Sequence, residues 1–278
     1  MAIWHIFSDG TRADIPFNTD EDKTFAWNSI AICAVSTNVR IWVATVNDTH
    51  LHLLVEGSAE NIENFRNLLH PRLQKHYPES KIYLACDLVE ERENILSKFM
   101  YVYRNCLDFY RKLPGEYPWG SGNIYFSEKE HFFNGRLIDS LSLREQYNLF
   151  KTRKQLPGQW RFNQKGRILP ESFIEYEAAE RFFGSARAFI AFMYVRKEDE
   201  AAMKQEVHRK YLEQRNIQDL RRIGNKYCKN MTGRMLPGAN IEMRLNVAVR
   251  MMREGLSGRT PSLAKALYLQ PNDLHLLT

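Results

Sequence analysis

Over the first 112 residues the apolar positions alternate between a period of two and a period near 3.6, the pattern of short strands separated by amphipathic helices. Ile3 to Phe7 reads as a brief strand. A helix follows from about Glu21 to Ser36, opened by an Asp20 cap and carrying Phe25, Trp27, Ile30 and Ile32. Val39 to Val46 is rich in β-branched and aromatic residues, and Asn47-Asp48 supplies turn chemistry before a second strand from His50 to Val55. Ser58 caps a helix from Ala59 to about His76, with Ile62, Phe65, Leu68 and Leu69 at helical spacing and Pro71 as a kink or break. Lys81 to Cys86 is a further strand. Glu90 to Lys112 is a longer helix whose stripe is Ile95, Phe99, Val102, Cys106 and Phe109.

The order β-α-β-β-α-β, followed by an extra helix, predicts an α+β fold. Its first six elements match a ferredoxin-like arrangement, an antiparallel sheet with both helices on one face. From Leu113 to Gly135 the chain is rich in Gly, Pro and aromatics. Tyr117, Trp119, Tyr125 and Phe126 are too apolar for a free linker, which predicts an ordered loop folded back on the core. Beyond Asp139 the pattern turns helical. The expected division is therefore an α+β domain over 1–134 and a mainly α-helical domain over 135–278.

Charge sharpens that division. The net +6 hides 14 Lys and Arg against 19 Asp and Glu in residues 1–140, and 25 against 14 in residues 141–278. The basic half is where a polyanion would first be attracted. No window approaches the roughly 18 apolar residues of a membrane span, and Met1 to Gly10 lacks a secretory pattern. A non-exported, cytoplasmic protein is expected. Cys33, Cys86, Cys106 and Cys228 are widely spaced, without a Cys-x-x-Cys pair, and read as thiols in a reducing compartment.

Two short motifs carry chemistry. His50 and His52 lie two apart on a strand, so both imidazoles face one way and offer two positions to a divalent cation. An ordinary partly exposed pair has the same spacing. Tyr101 and Asn105 lie four apart on the long helix and share a face, which would set a phenol nucleophile beside a hard amide-oxygen ligand. An aromatic flanking the apolar stripe and a solvated amide would also look so.

Taken together, these segments resemble a known family. Asn47-Asp48-Thr49-His50-Leu51-His52-Leu53-Leu54-Val55 resembles the Asn-His-Val-His-Leu-Leu-Val signature of single-tyrosine HUH transposases. Tyr101-Val102-Tyr103-Arg104-Asn105 is similar to their Tyr-Ile-His-x-Asn-Pro segment, and Tyr117-Pro118-Trp119-Gly120-Ser121 to their Tyr-Pro-Trp-Ser-Ser element. The resemblance covers residues 1 to about 126 and is nearest to the REP-associated branch. It implies that His50, His52 and the Asn105 oxygen hold one Mg²⁺ or Mn²⁺, which polarises a scissile phosphodiester of single-stranded DNA. It further implies that Tyr101 attacks phosphorus to give a 5′-phosphotyrosine, with the metal and Arg104 as candidate helpers. The substrates implied are single strands folded into imperfect hairpins, and the assembly a monomer or homodimer. Cys106 stands where the family has proline after the helix asparagine, Gly120 replaces the first serine, and the Gly-His-x-Trp/Phe-Gln-x-Arg-Tyr segment is not recognisable.

In the basic half, Arg221, Arg222, Lys226 and Lys229 would form a phosphate-contacting stripe if their segment is helical, against which Gly224 argues. A solvated helix face is the alternative. Met243 to Glu254 reads as an amphipathic helix. Thr260 caps a short helix with Pro261 at its first position, and a turn at Tyr268 to Gln270 leads to a last helix from Pro271. That arrangement resembles a helix-turn-helix, or is a plain helical hairpin. Three functional readings follow: a metal-dependent single-strand DNA endonuclease and strand transferase, a non-catalytic DNA or RNA hairpin-binding protein, and a replication initiator or relaxase.

Overall fold

The computed structural model describes residues 2–8, 15–108, 113–127, 134–194, 197–257 and 260–276. Its centre is a four-stranded antiparallel sheet built from β1 (Ala2–Phe7), β2 (Arg40–Val46), β3 (Leu51–Gly57) and β4 (Ala85–Val89), in the order β2-β3-β1-β4. Helix α1 (Asp20–Thr37) connects β1 to β2, and α2 (Ala59–His76) connects β3 to β4. Leu51 to Val55 are five consecutive buried residues, so both faces of β3 are covered. Helix α3 (Arg92–Arg104) lies on the face that carries His52 and Thr45: the Tyr101 ring meets His52, and Thr45 Oγ1 donates to the Val102 carbonyl at 2.8 Å. Helices α1 and α2 pack on each other and against β2 and β3.

Several boundaries differ from the sequence expectation, each for a visible reason. The cap of α1 is Thr19, not Asp20: Thr19 Oγ1 accepts from the Asp22 amide while the Asp22 carboxylate accepts from the Thr19 amide, a capping box. Pro71 neither breaks nor ends α2. The fourth strand begins at Ala85, because residues 80–84 find their partners on α2 instead of in a ladder. Arg66 donates to the Leu84 carbonyl, His70 to the Ile82 carbonyl, and Gln74 bonds both Ser80 and Ile82. The long helix ends at Arg104. There the Asn105 amide donates to Val102, a tightened turn that continues as a 3-10 helix over Asn105–Asp108; Phe109 to Lys112 of the expected helix lie outside the described residues.

The loop after α3 closes the open edge of β2. The Val46 amide donates to the Trp119 carbonyl and the Ser121 amide to the Ala44 carbonyl, with Thr45 and Gly120 bridged antiparallel. Tyr117 Oη donates to the Val46 carbonyl at 2.7 Å and Tyr125 Oη to that of Trp42 at 2.6 Å. Further along, the Glu175 amide donates to the Ile41 carbonyl. An edge whose backbone groups are taken in this way offers no template for another strand. Gly122 fits within this loop because a Cβ there would stand 2.2 Å from the Pro114 carbonyl oxygen.

Residues 134–194 build outward from the same core. Strands β5 (Arg136–Leu137) and β6 (Arg161–Phe162) pair around α4 (Leu143–Phe150), and Ile138, Phe150, Leu156, Trp160, Phe162 and Ile168 bury against Ala31 and Ile32 of α1. Trp27 Nε1 donates to the Ile168 carbonyl, and the Asn28 amide donates to Gly166 and accepts from the Ile168 amide, each at 2.8 Å. Helix α1 is thus buried continuously from Ala26 to Ala34. Helices α5 (Tyr176–Phe183) and α6 (Ala186–Met193) cover α3, where Phe99 meets Phe183 and Phe189 edge-on. Compact units divide the chain between Met203 and Lys204, so the expected boundary near 135 lies inside the first unit.

The second unit, 204–278, contains most of α7 (Lys197–Thr232), then α8 (Ile241–Arg253), α9 (Pro261–Ala266) and a 3-10 turn at Pro271–Leu276. Its core joins Leu220, Cys228, Leu236, Val247, Met251, Leu263 and Leu267 with their neighbours. Gly224 does not break α7: a Cβ there would meet Leu267 at 2.5 Å and Leu236 at 3.1 Å, so the glycine lets the core approach the helix backbone closely. Thr260 and Pro261 start α9 as expected, but a six-residue 3-10 turn follows where a recognition helix was a possibility. Among the described residues no helix is long and apolar enough to cross a membrane.

Removing the buried Asn28 amide leaves the Gly166 carbonyl and the Ile168 amide without their partner. Asn28→Ala should lower the stability of the first unit by about 2–4 kcal/mol, read as an earlier urea transition of tryptophan fluorescence, since all five tryptophans lie in that unit.

Candidate functional site

The turn between β2 and β3 is held shut by hydrogen bonds from the Asn47 amide to the His50 carbonyl at 2.8 Å and from the Phe17 amide to the Asp48 carbonyl at 2.9 Å. An ion pair of Lys23 with Asp48 at 2.7 Å reinforces it. This turn delivers His50, and β3 delivers His52; both are buried, with their rings 4.9 Å apart and nearly perpendicular. From the opposite side comes the end of α3. Asn105 Oδ1 lies 2.8 Å from His50 Nε2, and the Tyr101 ring lies 5.1 Å from the His52 ring. Four side chains that the sequence spreads over 56 positions, His50 to Tyr101 and Asn105, therefore share one pocket of the core.

The hydrogen bonds assign protons. An amide oxygen only accepts, so His50 Nε2 donates to Asn105 Oδ1, and the Thr49 hydroxyl lies 2.8 Å from Nδ1. Asn47 Nδ2 donates to both oxygens of Asn105, at 2.5 Å to Oδ1 and 3.3 Å to the backbone carbonyl. Asn47 thereby orients the amide that faces His50. His52 Nδ1 pairs with Nε2 of His5 on β1 at 3.1 Å. Burial, followed by the proximity of His50, His5 and Lys98, holds His52 well below the usual imidazole range, so the ring is neutral at neutral pH. A neutral imidazole binds a cation without first losing a proton.

The group suits a hard divalent cation. Adjacent ligands of an octahedron at about 2.1 Å from the metal stand about 3 Å apart, and His50 Nε2 and Asn105 Oδ1 are separated by 2.8 Å. A cation there would replace the proton between them. The His50 proton would pass to Nδ1, where the Thr49 hydroxyl turns to accept it. Among the described residues no cluster of three His, Cys, Asp or Glu has metal-binding geometry.

The other sequence candidates are placed differently. Arg104 Nη1 donates to the Met193 carbonyl at 2.6 Å, tying it to the end of α6. The cation beside the phenol is Lys98, one turn before Tyr101 on α3, buried and 5.9 Å from the ring centre. In the second unit Arg222, Lys226 and Lys229 are exposed on α7, and Arg222 approaches Asp219 at 3.7 Å. Arg221 turns inward: it donates to the carbonyls of Lys265 and Ala266 at the end of α9 and lies over the Tyr268 ring. Sequence reasoning missed His5, Asn47, Thr49 and Lys98. The available signals were an imidazole at an inward position of the first strand and a lysine three residues before the tyrosine.

Cys33 and Cys86 offer no competing nucleophile. Burial pushes the Cys33 thiol up to about 12 against the pull of Arg72 and Lys154, and burial likewise raises Cys86 to about 12. Raised values in the folded state mean that this contribution to stability is intact below about 9, the ordinary value, and is lost as pH climbs toward 12. Iodoacetamide at pH 8.5 should leave Cys33 and Cys86 unmodified in the native chain and label both in denaturant, as mass spectrometry of peptides would read.

No protein-family model matches the chain, and no curated protein matches it. Among solved structures the chain is similar to a REP-associated tyrosine transposase bound to a REP hairpin. That likeness covers 44% of this chain and 77% of the other, at 10% identity and a TM-score of 0.35.

Proposed function

We propose that this chain is a metal-dependent single-stranded DNA nicking and joining enzyme of the single-tyrosine HUH type. The observation that carries the reading is the convergence of His50, His52, Asn105 and Tyr101, from a turn, a strand and a helix end, into one buried group. The order β2-β3-β1-β4, with helices in both crossovers, supports a ferredoxin-like catalytic unit.

In this reading His50 Nε2, His52 Nε2 and Asn105 Oδ1 hold Mg²⁺ or Mn²⁺, which supplies Lewis-acid polarisation of the scissile phosphate. The phenol oxygen of Tyr101 forms a bond to phosphorus, and the bond from phosphorus to the 3′ oxygen breaks. The leaving oxygen takes up a proton and becomes a 3′-hydroxyl, while the 5′ end stays on the tyrosine. Rejoining is the same exchange reversed, so it needs no other energy source. A phenol titrates near 10, and the ammonium of Lys98 is placed to stabilise the phenolate that develops. The preferred substrates are single strands carrying imperfect hairpins, handled by a monomer or a homodimer.

The second unit carries 14 Lys and Arg against 6 Asp and Glu, a net +8 that suits a phosphate backbone. Exposed Arg222, Lys226 and Lys229 are the contacts we assign to it. Their joint replacement by alanine should weaken binding of any single strand alike and lower the salt dependence of log K by about 2, in fluorescence anisotropy between 50 and 200 mM salt.

One observation favours a second reading. Tyr101 is only 4% exposed, which suits a protein that binds DNA or RNA hairpins without cutting them. The deciding experiment mixes the chain with labelled single strands from the flanks of its own gene and resolves products on a denaturing gel. The strand-transferase reading expects a covalent protein–DNA band that requires Mn²⁺, disappears with EDTA, and is absent from Tyr101→Phe, His50→Ala and His52→Ala. Binding of the same strands with no band from the unaltered chain would establish the hairpin-binding reading instead.

A further inference from the structure

His5 lies in β1, between β3 and β4, without exposed surface. A buried imidazole is costly where valine or isoleucine would fill the same ladder position, by about 1–3 kcal/mol for each polar group left without a partner. Its place in the sheet shows what it is near. The register sets Phe7 opposite His52 and His5 opposite Leu54, so His5 is the diagonal neighbour of His52 on one face. The two rings lie almost parallel, 11° apart at 5.2 Å between centres, with Nε2 of His5 3.1 Å from Nδ1 of His52. His5 also stacks on Phe7 at 4.6 Å and meets the Tyr101 ring edge-on at 6.1 Å.

One proton lies between those two nitrogens, and its ownership decides what His52 can do. If His5 donates, the remaining hydrogen of a neutral His52 sits on Nε2 and blocks that nitrogen as a ligand. If His52 donates, its Nε2 lone pair is available. The metal-binding reading of the site takes the second arrangement, in which His52 Nε2 faces the cation.

We propose that His5 is a positioning residue for a divalent cation held by His50, His52 and Asn105: its Nε2 accepts the Nδ1 proton of His52 and so presents the His52 Nε2 lone pair to the metal. The inference rests on the metal-binding reading of the site. Loss of such an outer partner weakens metal binding about 10- to 100-fold in comparable histidine sites.

The test is Mn²⁺ titration of the full chain, followed by calorimetry, for the unaltered protein, His5→Phe and His5→Gln. Phenylalanine keeps the stacked ring and loses the acceptor; glutamine offers an amide oxygen in its place. Metal-free thermal unfolding of each variant shows whether the fold is retained. The proposal expects His5→Phe to bind Mn²⁺ at least tenfold more weakly and His5→Gln to recover most of that loss. Unchanged affinity in a folded His5→Phe overturns it and leaves the metal site standing. No Mn²⁺ binding by the unaltered chain overturns both. Should His5→Phe not fold, ¹⁵N shifts of the unaltered chain with Mg²⁺ decide: a proton on His52 Nδ1 supports the proposal, and one on Nε2 overturns it.

Discussion

One side-chain amide ties the end of a helix to a hairpin turn. Asn47 Nδ2 donates to both the side-chain and the backbone oxygen of Asn105, and neither residue has significant solvent contact. The bond to the backbone oxygen takes a carbonyl at the point where α3 tightens into a 3-10 turn. The bond to Oδ1 turns the amide toward His50. Without this contact the turn that carries His50 and the helix that carries Tyr101 would be joined there only by packing and by the bond from His50 to Asn105. A hydrogen bond of this kind contributes about 1 kcal/mol to stability, but its larger consequence is geometric: it sets two candidate ligands in register across the core.

The same logic explains why so much of the first unit is wrapped. An antiparallel sheet can leave one face in water, yet here α3 covers the face that bears the histidines, and α5 and α6 then cover α3 through Phe183 and Phe189. Residues 134–174 cover α1 in turn, through Trp27, Asn28 and the Ile168 segment. The inner helices α1 and α3 are thereby covered on both sides. That is why the helical and basic part of the chain, which looks like a separate domain in sequence, contributes its first portion to the core of the sheet.

The regular elements were legible because their information is local. Ser58 before an apolar 3.6-residue pattern gives α2 to the residue, and β-branched runs give β1 to β3 within two. What could not be read depends on distant partners. The start of β4 is displaced by Arg66, His70 and Gln74, the end of α3 is set by Asn47, and the unit boundary is moved by contacts between segments more than a hundred residues apart. The candidate site divides in the same way. The spacings His-x-His and Tyr-x-x-x-Asn pointed to residues that do meet. His5 and Lys98 carried no motif, since their relevance arises from sheet register and from one turn of helix. Arg104 read as a helper at the phosphodiester and Arg221 as a phosphate contact, but each caps a helix end with its guanidinium, a role that composition does not distinguish.

Burial is what the proposed chemistry both needs and must overcome. A dry pocket keeps His52 neutral, and in low dielectric the Lys98 ammonium acts on a nearby phenolate more strongly than it would in water. The same pocket leaves Tyr101 only 4% exposed, less than any phosphodiester would need to reach it. On the strand-transferase reading, catalysis therefore requires the Tyr101 side chain and the DNA to meet by a local opening. Neither β3 nor Asn105 is suited to supply it, because the sheet ladder and the Asn47 contact hold them. The Tyr101 rotamer is what remains to move while the ligand group stays in place. On that reading the strand, the turn and the helix end that carry His52, His50 and Asn105 stay fixed, and only the Tyr101 side chain is released.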